Sequence, residues 1–195
     1  TVERRLERLE ANIKKASKAE DVAERALFLR LKEALEAETP LRETGMTDEE
    51  THRLRGYALL SGKPLLLVAN LGEAEIREAA AFLERSGLAA FARKPGVALC
   101  AVSAPIEAEM ADLSPEDAKT FRDDLSLAEP GLERVIRSTY DLLGLISFLT
   151  AGEDECRAWT IRKATRAQSA ASAIHSDIER GFIRAEVVAF SDLIA

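Results

Sequence analysis

Apolar residues at the start of the chain recur at alternating spacings of four and three, a pattern typical of an amphipathic helix. The first such seam consists of Val2, Leu6, Leu9 and Ile13. A second helix is predicted to begin near Asp21 and to end at Thr39-Pro40, and its matching seam consists of Phe28, Leu31 and Leu35. An antiparallel helical hairpin with charged outer faces is therefore predicted. Two interpretations of this arm stay open, a plain spacer and a docking arm.

Two continuous apolar runs follow, LLLVAN at 65–70 and VALCAV at 97–102. Continuous runs are typical of strands that are covered on both faces, as in parallel sheets. A helix is predicted over 73–86, between the runs, and another is predicted to begin around Pro105. The order strand, helix, strand, helix predicts a βαβ unit. Further helices are predicted from Thr47 to about Leu60, from Ser114-Pro115 and from Pro130-Gly131.

The pattern changes near Leu145. Short apolar stretches predict strands at 146–149 and 157–161, and a helix is predicted over 169–179. Alternation of apolar and polar residues from Phe182 to Phe190 predicts a half-buried strand. This last part of the chain is therefore expected to form a separate, small α+β unit.

Composition narrows the class of protein. The chain has 195 residues, a net charge of −7 and a sequence pI near 5.1, which argues against a surface that binds nucleic acid all round. Its two cysteines, Cys100 and Cys156, have no metal-like spacing, and a reduced, intracellular protein is expected. No apolar run is long enough to cross a bilayer and no signal peptide is visible. The chain begins without Met inside a predicted helix, so we expect an N-terminal part to be missing from it.

Polar and small residues follow both predicted parallel strands, where ligands bind in open α/β sheets. They are Asn70, Leu71 and Glu73 after the first strand, and Ser103 and Ala104 after the second. An Asn amide has both donors and an acceptor, which match N7 and the exocyclic amine of adenine. Leu71 is a candidate to pack on the flat face of a base. The alternative from pattern alone is that Asn70, Glu73 and Ser103 cap the helices that follow.

Basic and aromatic residues form a second candidate site, a surface for RNA or another partner. They are Arg157, Trp159, Arg162, Lys163, Arg166 and His175. The alternative for the arginines and lysine is protection of an edge strand by charge. The alternative for His175 is a structural hydrogen bond to Asp177 or to the backbone.

Several stretches resemble the Obg-like ATPase family, the YchF group of P-loop NTPases. They are KPLLLVANLGE at 63–73, VSAPIEAEMADLSPED at 102–117, EPGLERVIRSTYDLLGL at 129–145, TAGEDECRAWTIRK at 150–163 and IHSDIERGFIRAEV at 174–187. The resemblance implies an α/β fold: a partial P-loop NTPase domain with a parallel sheet and an inserted antiparallel coiled-coil arm, followed by a partial TGS domain (β-grasp, α+β). The implied boundaries are 1–45 for the arm, 46–145 for the NTPase part and 146–195 for the TGS part.

The resemblance also implies a function. Asn70-Leu71-Gly72-Glu73 fits the family's Asn-x-x-Glu motif, which stands where GTPases have Asn-Lys-x-Asp and is associated with a preference for ATP. Ser103-Ala104 fits the family's base-binding loop. ATP is thus the expected substrate, Mg²⁺ the expected cofactor of the intact protein, and the ribosome or ribosomal RNA the expected partner. A cytoplasmic, monomeric protein without membrane attachment is expected.

The sequence also departs from the family's pattern. A phosphate-binding motif G-x-x-x-x-G-K-S/T is absent, so residues of this chain alone are not expected to complete hydrolysis or to bind Mg²⁺. The family has further TGS strands, and it usually has Gly near Ala164, Pro near Gln168 and Gly near Ser172. Two competing hypotheses therefore stay open: a non-enzymatic module that docks on RNA or the ribosome, and a scaffold that dimerises through the arm.

Overall fold

The computed structural model describes residues 1–152 and 154–193, and it divides into two compact units. The first unit is Thr1–Ser138, and the second begins at Thr139. The helices and strands of the first unit are α1 (Val2–Lys15), α2 (Ala19–Glu36), α3 (Asp48–Leu54), β1 (Leu65–Asn70), α4 (Glu73–Ile76), α5 (Ala79–Arg85), α6 (Leu88–Ala92), β2 (Val97–Val102), α7 (Ala104–Ala111) and α8 (Pro115–Asp124). Helix α9 (Gly131–Leu143) begins in the first unit and ends in the second.

Helices α1 and α2 form the predicted antiparallel hairpin, here called the arm. The two predicted seams meet over most of their length, and Leu9, Phe28 and Leu31 are almost completely buried between the helices and the chain that follows. Leu35, the last residue of the second predicted seam, is exposed instead. Leu41 and Leu54 extend the same cluster beyond the arm. The arm is therefore packed against the rest of its unit at its base.

Strands β1 and β2 form a two-stranded parallel sheet, as the continuous apolar runs predicted. The register pairs Leu65 with Val97 at one end and Asn70 with Val102 at the other. Both strands therefore end side by side. A second apolar cluster, which includes Leu71 and Ile106, packs beneath these ends.

Thr47 begins α3 with the predicted capping box, since its hydroxyl accepts from the Glu50 N–H and the Glu50 carboxylate accepts from the Thr47 N–H. The helix is shorter than predicted, because the chain turns into a 3₁₀ segment at Arg55–Tyr57. The helix predicted over 73–86 is interrupted between α4 and α5, and α6 was not predicted.

The second unit is an antiparallel hairpin of β3 (Leu145–Ala151) and β4 (Cys156–Arg162) with short helices. The helices are α10 (Ala167–Ala171), α11 (Ser176–Arg180) and α12 (Phe190–Leu193). The two strands confirm the sequence prediction, whereas the single helix predicted over 169–179 is divided into two.

The prediction of a strand from Phe182 to Phe190 is wrong. Residues 182–189 are neither helix nor strand, and α12 begins at Phe190. A half-buried strand needs a ladder partner, and in the described ranges β3 and β4 pair only with each other. The alternating side chains consequently remain outside any core, with Ile183 and Val187 about nine-tenths exposed.

Candidate functional site at the ends of the parallel strands

The loops after β1 and β2 are joined by a side-chain hydrogen bond. The Ala104 N–H donates to Asn70 Oδ1 at 3.0 Å, and the Leu71 N–H donates to the Val102 carbonyl at 2.8 Å. The parallel register causes this contact, because it places Asn70 opposite the last residue of β2. Asn70 itself remains exposed. The structure thus brings Asn70, Ser103 and Ala104 together at one edge of the sheet.

Ser103 lies between the end of β2 and the start of α7. Only 3% of its surface is exposed, and its hydroxyl oxygen has no hydrogen-bond partner in the described part of the chain. The capping alternative predicted that this hydroxyl would accept from the first turn of α7, but it makes no such bond. A buried hydroxyl without a hydrogen-bond partner is uncommon in folded proteins.

Asn70 acts as a helix cap, although not for the helix that follows it in the chain. Its amide oxygen does satisfy a free N–H at a helix start, but the helix is α7, which follows the neighbouring strand. After β1 it is Glu75, and not Glu73, that accepts from the backbone, from the Gly72 N–H at 2.9 Å.

Leu71 and Glu73 lie differently with respect to this edge. Leu71 is buried in the second apolar cluster, so its side chain packs in the protein interior, in contrast to the expectation that it would lie on a base. Glu73 is exposed and pairs with Arg77, whose guanidinium nitrogen lies 3.0 Å from Glu73 Oε1. Sequence reasoning did not single out Arg77, although its i,i+4 spacing from Glu73 was a readable signal.

A second group that sequence reasoning missed supports this edge from α9. Arg134 donates to the Ala101 carbonyl at 2.8 Å, and Glu107 accepts from the Gly131 N–H at 2.7 Å. These bonds attach the start of α9 to β2 and α7. Nothing in the spacing of these residues indicates the contacts, because they depend on how the elements pack.

The second candidate site is only partly assembled. Arg157 and Trp159 lie on one face of β4, with the guanidinium carbon 4.3 Å from the ring centroid, within cation–π range. The Trp159 indole donates to Thr150 Oγ1 at 2.9 Å. Arg162 lies on the opposite face of the strand, because side chains alternate along it. The structure therefore joins Arg157 with Trp159 but not with Arg162.

The remaining candidates of that surface make structural contacts. Lys163 pairs with Asp141 at 2.6 Å, and Arg166 precedes α10 as its exposed N-cap residue. His175 Nδ1 accepts from the Asp177 N–H at 3.2 Å at the start of α11, which is the hydrogen bond that the structural alternative predicted.

Among residues 1–152 and 154–193, no group of three or more His, Cys, Asp or Glu side chains is placed to hold a metal ion. Cys100 is buried in β2, and burial raises the pKa of its thiol, as expected for a cysteine of the core.

No helix in the described part of the chain is long and apolar enough to cross a membrane.

The Asn70 amide and the buried Ser103 hydroxyl lie at the carboxyl ends of parallel strands, which is where open α/β proteins bind their ligands. Comparison with known proteins identifies the family. The family model YchF-GTPase_C, described as a protein of unknown function, matches residues 145–195. The structure of the Schizosaccharomyces pombe YchF GTPase superposes with a TM-score of 0.75 and 27% identity, covering 93% of this chain and 50% of that one.

Curated relatives match along most or all of the chain. The ribosome-binding ATPase YchF of Bacillus subtilis is 40% identical over 195 residues, which is 100% of this chain and 53% of that protein. The protein of the same name from Escherichia coli O157:H7 is 38% identical over 194 residues, 100% of this chain and 52% of its own length. Obg-like ATPase 1 of Danio rerio is 37% identical over 146 residues, 74% of this chain and 37% of that protein.

These matches confirm the resemblance that the motifs indicated: the chain is a member of the YchF group of Obg-like ATPases. It spans about half the length of the curated YchF relatives it matches. The relatives' names differ in the nucleotide, since the curated proteins are called ATPases and the solved structure a GTPase.

Proposed function

We propose that this chain supplies the base-reading part of an ATP-preferring nucleoside triphosphatase that acts with the ribosome. The observation that carries the proposal is the contact between Asn70 and Ala104, which joins two strand-end loops around an exposed amide. The buried, unpartnered hydroxyl of Ser103 beside it supports a bound partner. On this proposal residues 46–145 are part of a P-loop NTPase domain, residues 1–45 its coiled-coil arm and residues 146–195 part of a TGS domain.

Asn70, Ser103 and Ala104 read the base, with Leu71 packed beneath the loop and Glu73 on its exposed side. The phosphate-binding loop and the Mg²⁺ ligands are proposed to lie outside these residues. Hydrolysis then requires the intact protein, and this chain by itself is inactive. The proposed protein is a cytoplasmic monomer.

Asn70→Ala tests the assignment in the intact protein. Because the amide supplies both polar contacts to the base, its loss is expected to weaken ATP and GTP binding, each by about tenfold or more. The measurement is an equilibrium titration of wild type and variant with both nucleotides. Asn12→Ala is the matched control, since Asn12 is an exposed amide on the arm.

In the same titration the wild type is expected to bind ATP more tightly than GTP. Equal affinities for the two nucleotides would contradict the ATP preference, and unchanged binding by Asn70→Ala would contradict the assignment of the site.

A second function, docking on ribosomal RNA without catalysis, is favoured by the Arg157–Trp159 pair, which presents a cation and an aromatic ring together. Co-sedimentation with ribosomes tests it. This function is favoured over the first if Trp159→Ala reduces ribosome binding and ATP leaves that binding unchanged.

A dimeric mass in light scattering would instead favour a scaffold that dimerises through the arm.

A further inference from the structure

The two apolar clusters of the first unit share no residue. The first cluster holds together the arm and the chain as far as Leu59, and the second packs beneath the parallel strands from Ala69 onward. Residues 1–60 are here called the arm module, and residues 65–138 the sheet module. A part of a protein that has its own core can move as one body relative to its neighbour.

Residues 61–64, which connect the two modules, have the features of a hinge. The sequence there is Ser-Gly-Lys-Pro, and Lys63 and Pro64 are exposed. A cleft of about 240 Å³ lies against this stretch, lined by apolar side chains of the arm module and by residues 62–64. Because protein interiors are otherwise close-packed, the cleft leaves the stretch room to change its backbone angles.

An ion pair joins the modules beside this hinge. Lys94 Nζ lies 3.4 and 3.3 Å from the two carboxylate oxygens of Glu43, although 51 residues separate them in the chain. Glu43 belongs to the arm module and Lys94 precedes β2, and in the described part of the chain theirs is the one ion pair that crosses between the modules. Only 16% of the Glu43 side chain is exposed, so solvent screens this carboxylate less than those on the surface.

The contact next to this ion pair is incomplete. The Arg42 side chain lies over Gly96, where an added Cβ atom would come within 3.4 Å of Arg42 Cβ, and Arg42 Nη1 donates to the Ser61 carbonyl at 3.3 Å. The Arg42 Nε is buried and has no hydrogen-bond partner among the described residues. An unpaired buried donor favours any arrangement that returns it to water. The ion pair therefore stabilises the contact between the modules, and the unsatisfied donor opposes it.

We propose that the arm module pivots on residues 61–64 relative to the sheet module, and that the Glu43–Lys94 pair is the latch that holds it in the direction seen here. Both apolar cores stay intact in this motion, because neither crosses the hinge. The strand pairing also stays intact, since the Leu65 N–H donates to the Gly96 carbonyl within the sheet module. A partner bound to the arm can consequently turn it without unfolding the sheet. The inference goes beyond the proposed function and does not depend on it, because it requires no bound nucleotide.

The distance between the modules reports this motion. Spin labels attached through encoded unnatural amino acids at Ser17, between α1 and α2, and at Thr120, on α8, measure it in the intact protein, since both positions are exposed. We expect one main distance in the wild type. Glu43→Gln, which removes the charge from the latch, is expected to raise the ratio of other distances to the main one by about threefold to fivefold. Glu84→Gln is the matched control, because it breaks the exposed pair with Arg93 inside the sheet module and should leave the distances unchanged.

An exchange of charges separates the latch from a general effect of substitution. Glu43→Lys places two cations together and should shift the distances further, whereas Glu43→Lys combined with Lys94→Glu should restore the wild-type ratio to within about twofold. In the wild type, raising the ionic strength about tenfold should act like Glu43→Gln, which tests the latch without any mutation. Distances that change neither in Glu43→Gln nor at high ionic strength would overturn the inference. An equal change in Glu84→Gln, or an exchange that restores nothing, would also overturn it.

Discussion

Ser103 is buried, and no hydrogen bond within the described part of the chain satisfies its hydroxyl. A hydroxyl that is removed from water without a hydrogen bond destabilises a folded protein by about 1–3 kcal/mol. Ser114, by contrast, stands at an equivalent place before α8 and accepts from the Asp117 N–H at 3.2 Å. The two serines look alike in sequence, since each precedes a proline-containing helix start, but only Ser114 acts as a cap.

Ser103→Ala is therefore expected to leave the free energy of unfolding unchanged or to raise it by up to about 1 kcal/mol, because it removes an unpaired buried group. Ser114→Ala, the matched control, should lower it by about 1 kcal/mol through loss of the cap. Urea titrations measure both. On the proposed function Ser103→Ala also weakens ATP binding in the intact protein. Loss of stability like that of Ser114→Ala would show that Ser103 has a structural partner.

Ala164 occupies a left-handed conformation, with φ at +63°, in the turn that follows β4. The resemblance identified this position as one where glycine is usual. The structure thus places an alanine in a backbone conformation that favours glycine. An alanine in this region carries a steric cost of about 1–2 kcal/mol that glycine does not.

Ala164→Gly is consequently expected to stabilise the protein, by about 0.5–1 kcal/mol after the greater entropy of glycine in the unfolded chain is subtracted. The control is Ala167→Gly, at the start of α10, where helical geometry makes glycine unfavourable. Denaturation followed by the fluorescence of Trp159 reports on this unit directly. A destabilising Ala164→Gly would contradict the assignment of strain to this turn.

At the scale of elements, a polar network links the arm to the chain after α3. Arg5 of α1 donates two hydrogen bonds to Glu24 of α2, at 2.8 and 2.7 Å, and the Tyr57 hydroxyl donates to the same carboxylate at 3.1 Å. The hydrogen bonds from Arg5 hold the pKa of Glu24 below its usual value. The ring of Phe28 contacts Tyr57 edge to face, so apolar packing and the network act at the same place.

A carboxylate with a lowered pKa in the folded state contributes stability that is present above its unfolded pKa, near 4.5, and is lost as pH falls through the folded value. Glu24→Gln is expected to lower the free energy of unfolding at pH 7, because it weakens the charge-assisted hydrogen bonds with Arg5. The expected loss is only about 1–2 kcal/mol, since solvent screens this part-exposed pair. The difference from wild type should diminish as pH falls below about 4.

Glu10→Gln, which breaks the exposed pair with Arg25, is the control and should have little effect at either pH. Equal effects of the two variants in urea titrations would contradict the role of the network.

The arm and the parallel strands could be predicted because each follows from a period in the sequence. Two apolar seams are enough to define a hairpin, and continuous apolar runs indicate parallel strands. The expectation that both strands are covered on both faces does not hold for β1, where Val68 is 45% exposed. The strand expected from Phe182 could not be judged this way, because alternation describes a side-chain pattern and not the presence of a partner strand. The break between α4 and α5 could not be predicted either, because the residues there all favour a helix.

Within the candidate site the sequence supplied the residues but not their contacts. Asn70 and Ala104 are far apart in the chain and meet only through the register of β1 on β2. The same holds for Arg134, whose target is a carbonyl of β2. The pattern also could not predict which side chains are buried. Leu71 and Ser103 follow the strands in sequence, yet both lie in the interior.

For the whole molecule, the resemblance and the comparisons agree on the family, and the chain covers about half of the relatives' length. The sequence contains the edge that is proposed to read the base, but it contains no phosphate-binding motif of the form G-x-x-x-x-G-K-S/T. The proposed function therefore divides the work: these residues select the nucleotide, and residues beyond this chain bind its phosphates and Mg²⁺. The arm and the second unit are proposed to contact the ribosome.

Hydrogen–deuterium exchange of the intact protein, with and without ATP, tests most directly that the loops after β1 and β2 hold the base. ATP is expected to slow exchange in peptides that cover 70–73 and 103–107, while peptides that cover α1 stay unchanged. Saturating ATP that leaves both loops unprotected would contradict the account.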